Sequence, residues 1–382
     1  MQIEAKVMMA LIRYEFGKDL SQEIKNLITP EIFKPLYELS KKHDLTHLVA
    51  DALIENNLLK DGSVAKERFS IERDMAIYRY EQLSFELDRI CDTLKEQKFT
   101  FIPLKGSVIR KFYPKPWMRT SCDIDILVKP EDLNAIIEIL KSKLEYSLDC
   151  IAPYDAILNA PSGVNLELRY NPSAISEKTA TVINTLFDRG VNKGEYQLLL
   201  DNETLYFYHL EHMAKHFSNG GCGVRFFLDA YVINKAISFD GEKLQKLLSE
   251  TGLSEFASAV EKVANHWFND GESDKLIKDI EDFVLGSGIF GTMQNRVAIG
   301  RKNKSKIGYL FSRVFLPYKY LKYQFPVLQK HPILAPFCQV RRWFRLLSKS
   351  SRQKSLNELK EIQNGDFERQ NKVNDLIKEL KL

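Results

Sequence analysis

Apolar residues recur every three or four positions through EIFKPLYELSKKHDLTHLVADALIENNLL and again through IYRYEQLSFELDRICDTLKEQ. That is the spacing of one helix face. Residues 1–98 therefore read as helices throughout, and Pro30 after Thr29 suits a helix opening. The pattern changes at residue 99. FTFIPL reads as a strand, SVIRKFY as helix, CDIDILV as a strand, and PEDLNAIIEILKSKL as a helix with Pro130 near its first turn. SLDCIAPYDAILNAPSGVNLELRY reads as two or three strands with a turn at Ser162-Gly163. From about Glu177 helical periodicity returns, ending in the charged amphipathic tail SLNELKEIQNGDFERQNKVNDLIKELKL. The expected fold class is α+β: a small mixed-sheet core over 99–190, flanked by an N-terminal helical region (1–98) and a C-terminal helical region (191–382).

Two features interrupt the pattern. Gly106-Ser107 falls where the first strand breaks into a helix, and Asp123 and Asp125 alternate with Ile124 and Ile126 in a strand that otherwise reads as buried. Side chains two apart on a strand share a face, so these carboxylates project together, roughly 6–7 Å apart along the chain. Ionised carboxylates in an apolar strand are costly unless something positive meets them. Glu167 in VNLELRY is a third lone acid between apolar neighbours, and a hairpin-like return would set it alongside the pair. Hard oxygen donors of this kind suit Mg²⁺, which keeps waters and substrate phosphates in its shell. A strand-to-helix turn with glycine lets phosphate oxygens approach backbone N–H groups. Taken singly, each feature has an ordinary reading: an exposed sheet face, surface acid or plain turn. Their order along the chain, phosphate cradle, paired acids and third acid, is a joint signal.

Charge adds a second theme. The net charge of +4 hides an acid-free stretch, Phe283 to Leu356, which carries fifteen Lys and Arg, so the remainder stands at 4 − 15 = −11. Aromatics are interleaved with the bases in YLFSRVFLPYKYLKYQF and QVRRWFRLL. Such a segment fits nucleic acid, an anionic membrane surface or an acidic substrate, or else packs on the acidic remainder. No helix-turn-helix, RNA-recognition or zinc-finger pattern favours nucleic acid. The five cysteines lack paired spacing, no apolar run approaches the ~18 residues of a membrane span, and the N-terminus has no secretory features. The expected location is cytoplasmic, with peripheral contact to a membrane through 283–356 as an extension.

The chain resembles the nucleotidyltransferases of the DNA polymerase β-like superfamily, and within it a poorly characterised bacterial nucleotidyltransferase family. The resemblance rests on LKG (Leu104 to Gly106), Tyr113-Pro114, Arg119, DIDILV, LELRY, HLEHMAKH (His209 to His216), VRFFLD (Val224 to Asp229) and SGIFG (Ser287 to Gly291). It covers about residues 80–345. Fifteen residues separate Ser107 from Asp123, longer than the superfamily's usual spacer, and Arg169 stands where the family often has histidine. The resemblance implies transfer of a nucleoside monophosphate from an NTP to an acceptor hydroxyl, with pyrophosphate release. Asp123, Asp125 and Glu167 would be the catalytic and metal-holding residues for Mg²⁺ or Mn²⁺, with two ions roughly 3.5–4 Å apart. Lys105, Gly106, Ser107, Arg119, His212 and His216 would bind the nucleotide. The expected acceptor is a small molecule, sugar-like or lipid-linked. Nucleotidylation of a protein or tRNA, and a non-catalytic nucleotide-binding module, are the alternatives. His209 reads as packing, Arg225 and Asp229 as an i, i+4 pair, and Trp117 as either a nucleobase stack or core.

Overall fold

The computed structural model describes residues 2–192, 194–289, 291–301 and 367–382, together with residues 308, 309, 311, 314–318, 321, 325 and 327–346. Five helices open the chain: α1 (Ile3–Glu15), α2 (Gln22–Leu27), α3 (Phe33–Lys42), α4 (Thr46–Glu55) and α5 (Val64–Glu96). The last is 33 residues long and starts at Ser63, whose side chain accepts the Lys66 N–H, the standard way to satisfy an orphan donor at a helix start. It stops where Lys98 takes a positive φ of 62°, and the chain passes directly into β1 (Phe101–Leu104).

After β1 come the short helix α6 (Gly106–Ile109), β2 (Asp123–Val128), α7 (Leu133–Leu144), β3 (Ser147–Ile151), β4 (Asp155–Asn159) and β5 (Asn165–Arg169). The sheet order is β1-β2-β5-β4-β3. β2 and β5 are parallel, with Asp125 beside Glu167 and Asp123 beside Asn165. This corrects the hairpin expected to bring Glu167 in. The hairpin at Ser162-Gly163 joins β4 to β5, and α7 with β3 and β4 supplies the long connection that a parallel neighbour requires. The Glu177 onward stretch is also not wholly helical. After α8 (Glu177–Ile183), a short antiparallel pair, β6 (Gly190–Asn192) and β7 (Leu198–Leu200), intervenes. The Phe101 N–H donates to the Tyr196 carbonyl at 3.1 Å, which covers the free edge of β1.

The sheet has two differently used faces. On one, Ile124, Ile126, Leu166 and Leu168 are fully buried with α7 and with Leu83, Ile90 and Leu94 of α5. At roughly 1.5–3 kcal/mol for each such side chain, this burial anchors the two central strands from behind. The other face turns toward α9 (Asn202–Ser218) and α10 (Val224–Ala236). Ile102, Leu104 and Leu127 join there a larger core that runs from Val7 of α1 to Leu380. That core also takes in α11 (Gly241–Thr251), α12 (Ser254–Phe268) and α13 (Lys275–Ser287). The helix Met293–Arg301 follows, and the end of the charged tail forms a helix over Phe367–Glu379; residues 355–366 of that tail lie outside the described residues.

Candidate active site

Strand alternation does what the sequence anticipated for β2 and β5. With Ile124 and Leu166 directed into the core, Asp125, Glu167 and Arg169 share the opposite face with Asp123 at its mouth. Oxygens of Asp123, Asp125 and Glu167 lie within 4.8 Å of one another. The positive partners that buried carboxylates need are Lys105 and Arg169. Lys105 Nζ donates to Asp125 at 2.6 Å, and Arg169 Nε donates to the same oxygen at 3.0 Å. Arg169 also binds Asp155 at 2.6 Å and Glu167 through its second terminal nitrogen. Its guanidinium therefore links three carboxylates, a geometry that its planar fork of donors allows.

These contacts split the acids electrostatically. Burial raises the pKa of Asp125, but Lys105 and Arg169 outweigh that and hold it below the ordinary carboxylate range. Asp123 is pushed up, first by burial and then by the Asp125 charge. Glu167 is pushed up to about 7, chiefly by burial, with Arg169 opposing and Asp125 adding to the rise. Adjacent acids with separated affinities for protons can take different tasks.

Lys105 occupies the turn between β1 and α6 with φ 50° and ψ −125°. A non-glycine residue there carries backbone strain of about 1–3 kcal/mol, and the turn aims its ammonium at Asp125. Gly106 follows, buried, in the cleft wall; a β-carbon there would come within 3.1 Å of the Ser121 side chain. Arg110, not anticipated from the sequence, fixes this corner by donating to the Gly106 carbonyl at 2.9 Å and to Ser121 Oγ at 3.0 Å. The Ser107 hydroxyl is buried without a hydrogen-bond partner among the described residues, and Ser107 is not among those lining the cleft.

The roof comes from α9 and α10. Among residues lining the cleft of about 240 Å³ are His212, His216, Arg119, Arg225 and Asp229. His209 also borders it, but its Nε2 sits 2.9 Å from the Phe226 carbonyl, a packing contact. The rings of His212 and His216 meet edge-on at 4.7 Å. Burial first, and then Lys105, depress both, His216 to about 4, so they stand neutral at physiological pH. Arg119 is buried, and its Nε donates to Asp229 at 2.7 Å while Tyr113 Oη donates to the same carboxylate at 2.8 Å. Arg225 pairs with Asp44 of the N-terminal region. The i, i+4 pairing expected for Arg225 and Asp229 is thus replaced by contacts to distant chain: Asp229 faces the buried Arg119, and Arg225 reaches the half-exposed Asp44. Trp117 packs edge-on against His47 at 6.4 Å, beside the large core and outside the cleft lining. Tyr208 and Lys215 extend the wall beyond Arg169. Burial lowers Lys215 while Glu211 holds it at 2.9 Å.

Arg110 escaped the sequence reading, and Arg169 entered it only as a departure from the family's usual histidine. For Arg169 a signal existed: it lies two residues from Glu167, hence on the same face, and Asp125 required a cation. For Arg110 the pattern offers none.

A family model described as an uncharacterised nucleotidyltransferase matches residues 31–269. Among solved structures, the chain is similar to the antibiotic-resistance factor ANT(2″)-Ia, with 13% identity and a TM-score of 0.33, over 49% of this chain and 99% of that one. No curated protein matches. The family span takes in the Gly106 turn, the three strand carboxylates and both roof helices, and the chain belongs to this nucleotidyltransferase family.

Proposed function

We propose that the protein moves a nucleoside monophosphate from an NTP to a hydroxyl of a small, sugar-like or lipid-linked acceptor. The observation that carries this reading is the convergence of Asp123, Asp125 and Glu167 within 4.8 Å beside the Gly106 turn. Three hard-oxygen donors at that spacing fit Mg²⁺ or Mn²⁺, and these residues would hold it. The ion, when bound, supplies positive charge to the phosphoryl oxygens.

The acceptor oxygen attacks the α-phosphorus, the bond to the β-phosphate oxygen breaks, and pyrophosphate leaves. Glu167 takes the hydroxyl proton, a role supported by its pKa near 7. Lys105 and the Gly106-Ser107 backbone bind the departing phosphates, and the Ser107 side chain takes no part. His212 and His216, neutral, line the nucleotide side of the cleft as donors or acceptors. Arg119 contributes charge to the wall while fixed by Asp229.

The test is the double substitution Asp123→Asn with Asp125→Asn, assayed for pyrophosphate release with each of the four common NTPs and Mg²⁺, the fold being checked by circular dichroism. Loss of turnover with folding retained is expected; full turnover overturns the assignment. Labelled NTP identifies the acceptor class. Label on a small molecule of a cell extract supports the proposal, label on protein or tRNA replaces that acceptor, and tight binding without pyrophosphate release identifies a non-catalytic module.

A further inference from the structure

We infer that the helix Ala335–Leu346, with the residues just before it, docks on a bilayer surface containing anionic lipid. This helix is turned apolar side out. Three donors on its inner side converge on the Val314 carbonyl: Gln339 Nε2 at 3.0 Å, Arg342 Nη1 at 3.0 Å and Trp343 Nε1 at 2.8 Å. Cys338 lies inward in a small cluster with Leu321, Phe325 and Leu328. These tethers set the rotation of the helix and leave Phe337 69%, Val340 41% and Phe344 70% exposed at positions i, i+3 and i+7. Ile333, just before the helix, is 89% exposed. A helix of a globular protein normally turns such a stripe toward its core.

Charge decides what covers the stripe. From Phe283 to Leu356 the sequence has no Asp or Glu and fifteen bases, while the remainder is net −11 by the subtraction above. An anionic surface attracts this segment and repels the rest of the chain, which orients the molecule with the apolar stripe facing the surface. A second copy is disfavoured as the occupant, since it would bring a further acid-free basic segment against the first. Nucleic acid would meet the bases but leave Ile333, Phe337, Val340 and Phe344 without apolar partners. An interfacial layer takes both, phosphates with the bases and acyl chains with the stripe. Of the segment, residues 290, 302–307, 310, 312, 313, 319, 320, 322–324, 326 and 347–356 lie outside the described residues and enter this inference only by their sequence.

The experiment is co-sedimentation of the full chain with vesicles of phosphatidylcholine alone or mixed with phosphatidylglycerol, at low and high salt. Salt-sensitive binding to the mixed vesicles is expected, with little to the neutral ones. Phe337→Ser with Phe344→Ser, both exposed and so neutral to folding, should weaken binding about tenfold or more. Arg341→Gln should weaken it about fivefold. No binding to mixed vesicles, equal binding to neutral ones, or unchanged binding by the Phe variant overturns the inference. So does a dimer by sedimentation velocity, or a duplex RNA or DNA complex, that the Phe variant abolishes.

Discussion

Arg169→Gln is the most informative single perturbation. The substitution removes the cation that links Asp125, Asp155 and Glu167. Among the described residues Asp125 then keeps only Lys105 as an ion-pair partner, and its side chain is 3% exposed, so water cannot replace the lost charge. Breaking a buried ion pair costs about 3–5 kcal/mol. The retained Lys105 and the ease of protonating Glu167 place the loss near the lower end, about 3 kcal/mol. For a chain of 382 residues, an unfolding entropy of about 2.1 cal/mol/K per residue turns this into a Tm drop of about 4 °C. The sign with pH follows. Without Arg169, protons must neutralise the acids, so the variant loses more stability relative to the parent as pH rises past the Glu167 pKa of about 7. A divalent cation among the same carboxylates should offset the loss, by about 2.7 kcal/mol at a hundred times its Kd. Differential scanning fluorimetry with and without Mg²⁺ measures all three effects. An unchanged Tm above neutral pH, or a Mg²⁺-induced rise no larger in the variant than in the parent, would refute the reasoning. Arg169→Lys should recover only part of the stability, since one ammonium cannot bridge three acids.

Asp229→Ala leaves Arg119 and the Tyr113 hydroxyl buried without their shared carboxylate, and a loss of about 3–5 kcal/mol is expected in denaturant melts. Divalent-ion affinity should rise with pH through about 7, as Glu167 gives up its proton, and Glu167→Gln should flatten that rise; Mn²⁺ binding followed by paramagnetic resonance reads it directly. The same raised pKa means that the folded state holds this proton where the unfolded chain has released it, so Glu167 costs stability above neutral pH. His216, held near 4 against an ordinary 6.5, acts in the opposite window: its contribution to stability is lost as pH falls from 6.5 through 4, and His216→Gln should soften that acid limb in urea midpoints. Gly106→Ala places a β-carbon against Ser121, which Arg110 pins in place; the KM for NTP should rise, while stability changes by about 1 kcal/mol or less.

The local pattern by itself settled which way each strand side chain points. D-I-D-I-L-V and L-E-L-R alternate acids with apolar residues, and burial of the apolar set leaves the acids no choice of face. Gly106 at the end of an apolar run marked the strand-to-helix turn for a similarly local reason. The pattern could not supply register or partners across long separations. The parallel pairing that puts Glu167 beside Asp125 depends on how α7, β3 and β4 pack between them. The Arg119–Asp229 contact spans 110 residues and the Arg225–Asp44 contact 181, far beyond any periodicity of two or 3.6. Even Arg169, whose face was legible, became the hub of the site only when Asp155 came alongside it from the neighbouring strand. Alternation is a property of one strand, whereas charge compensation in a buried site belongs to all the elements that close around it.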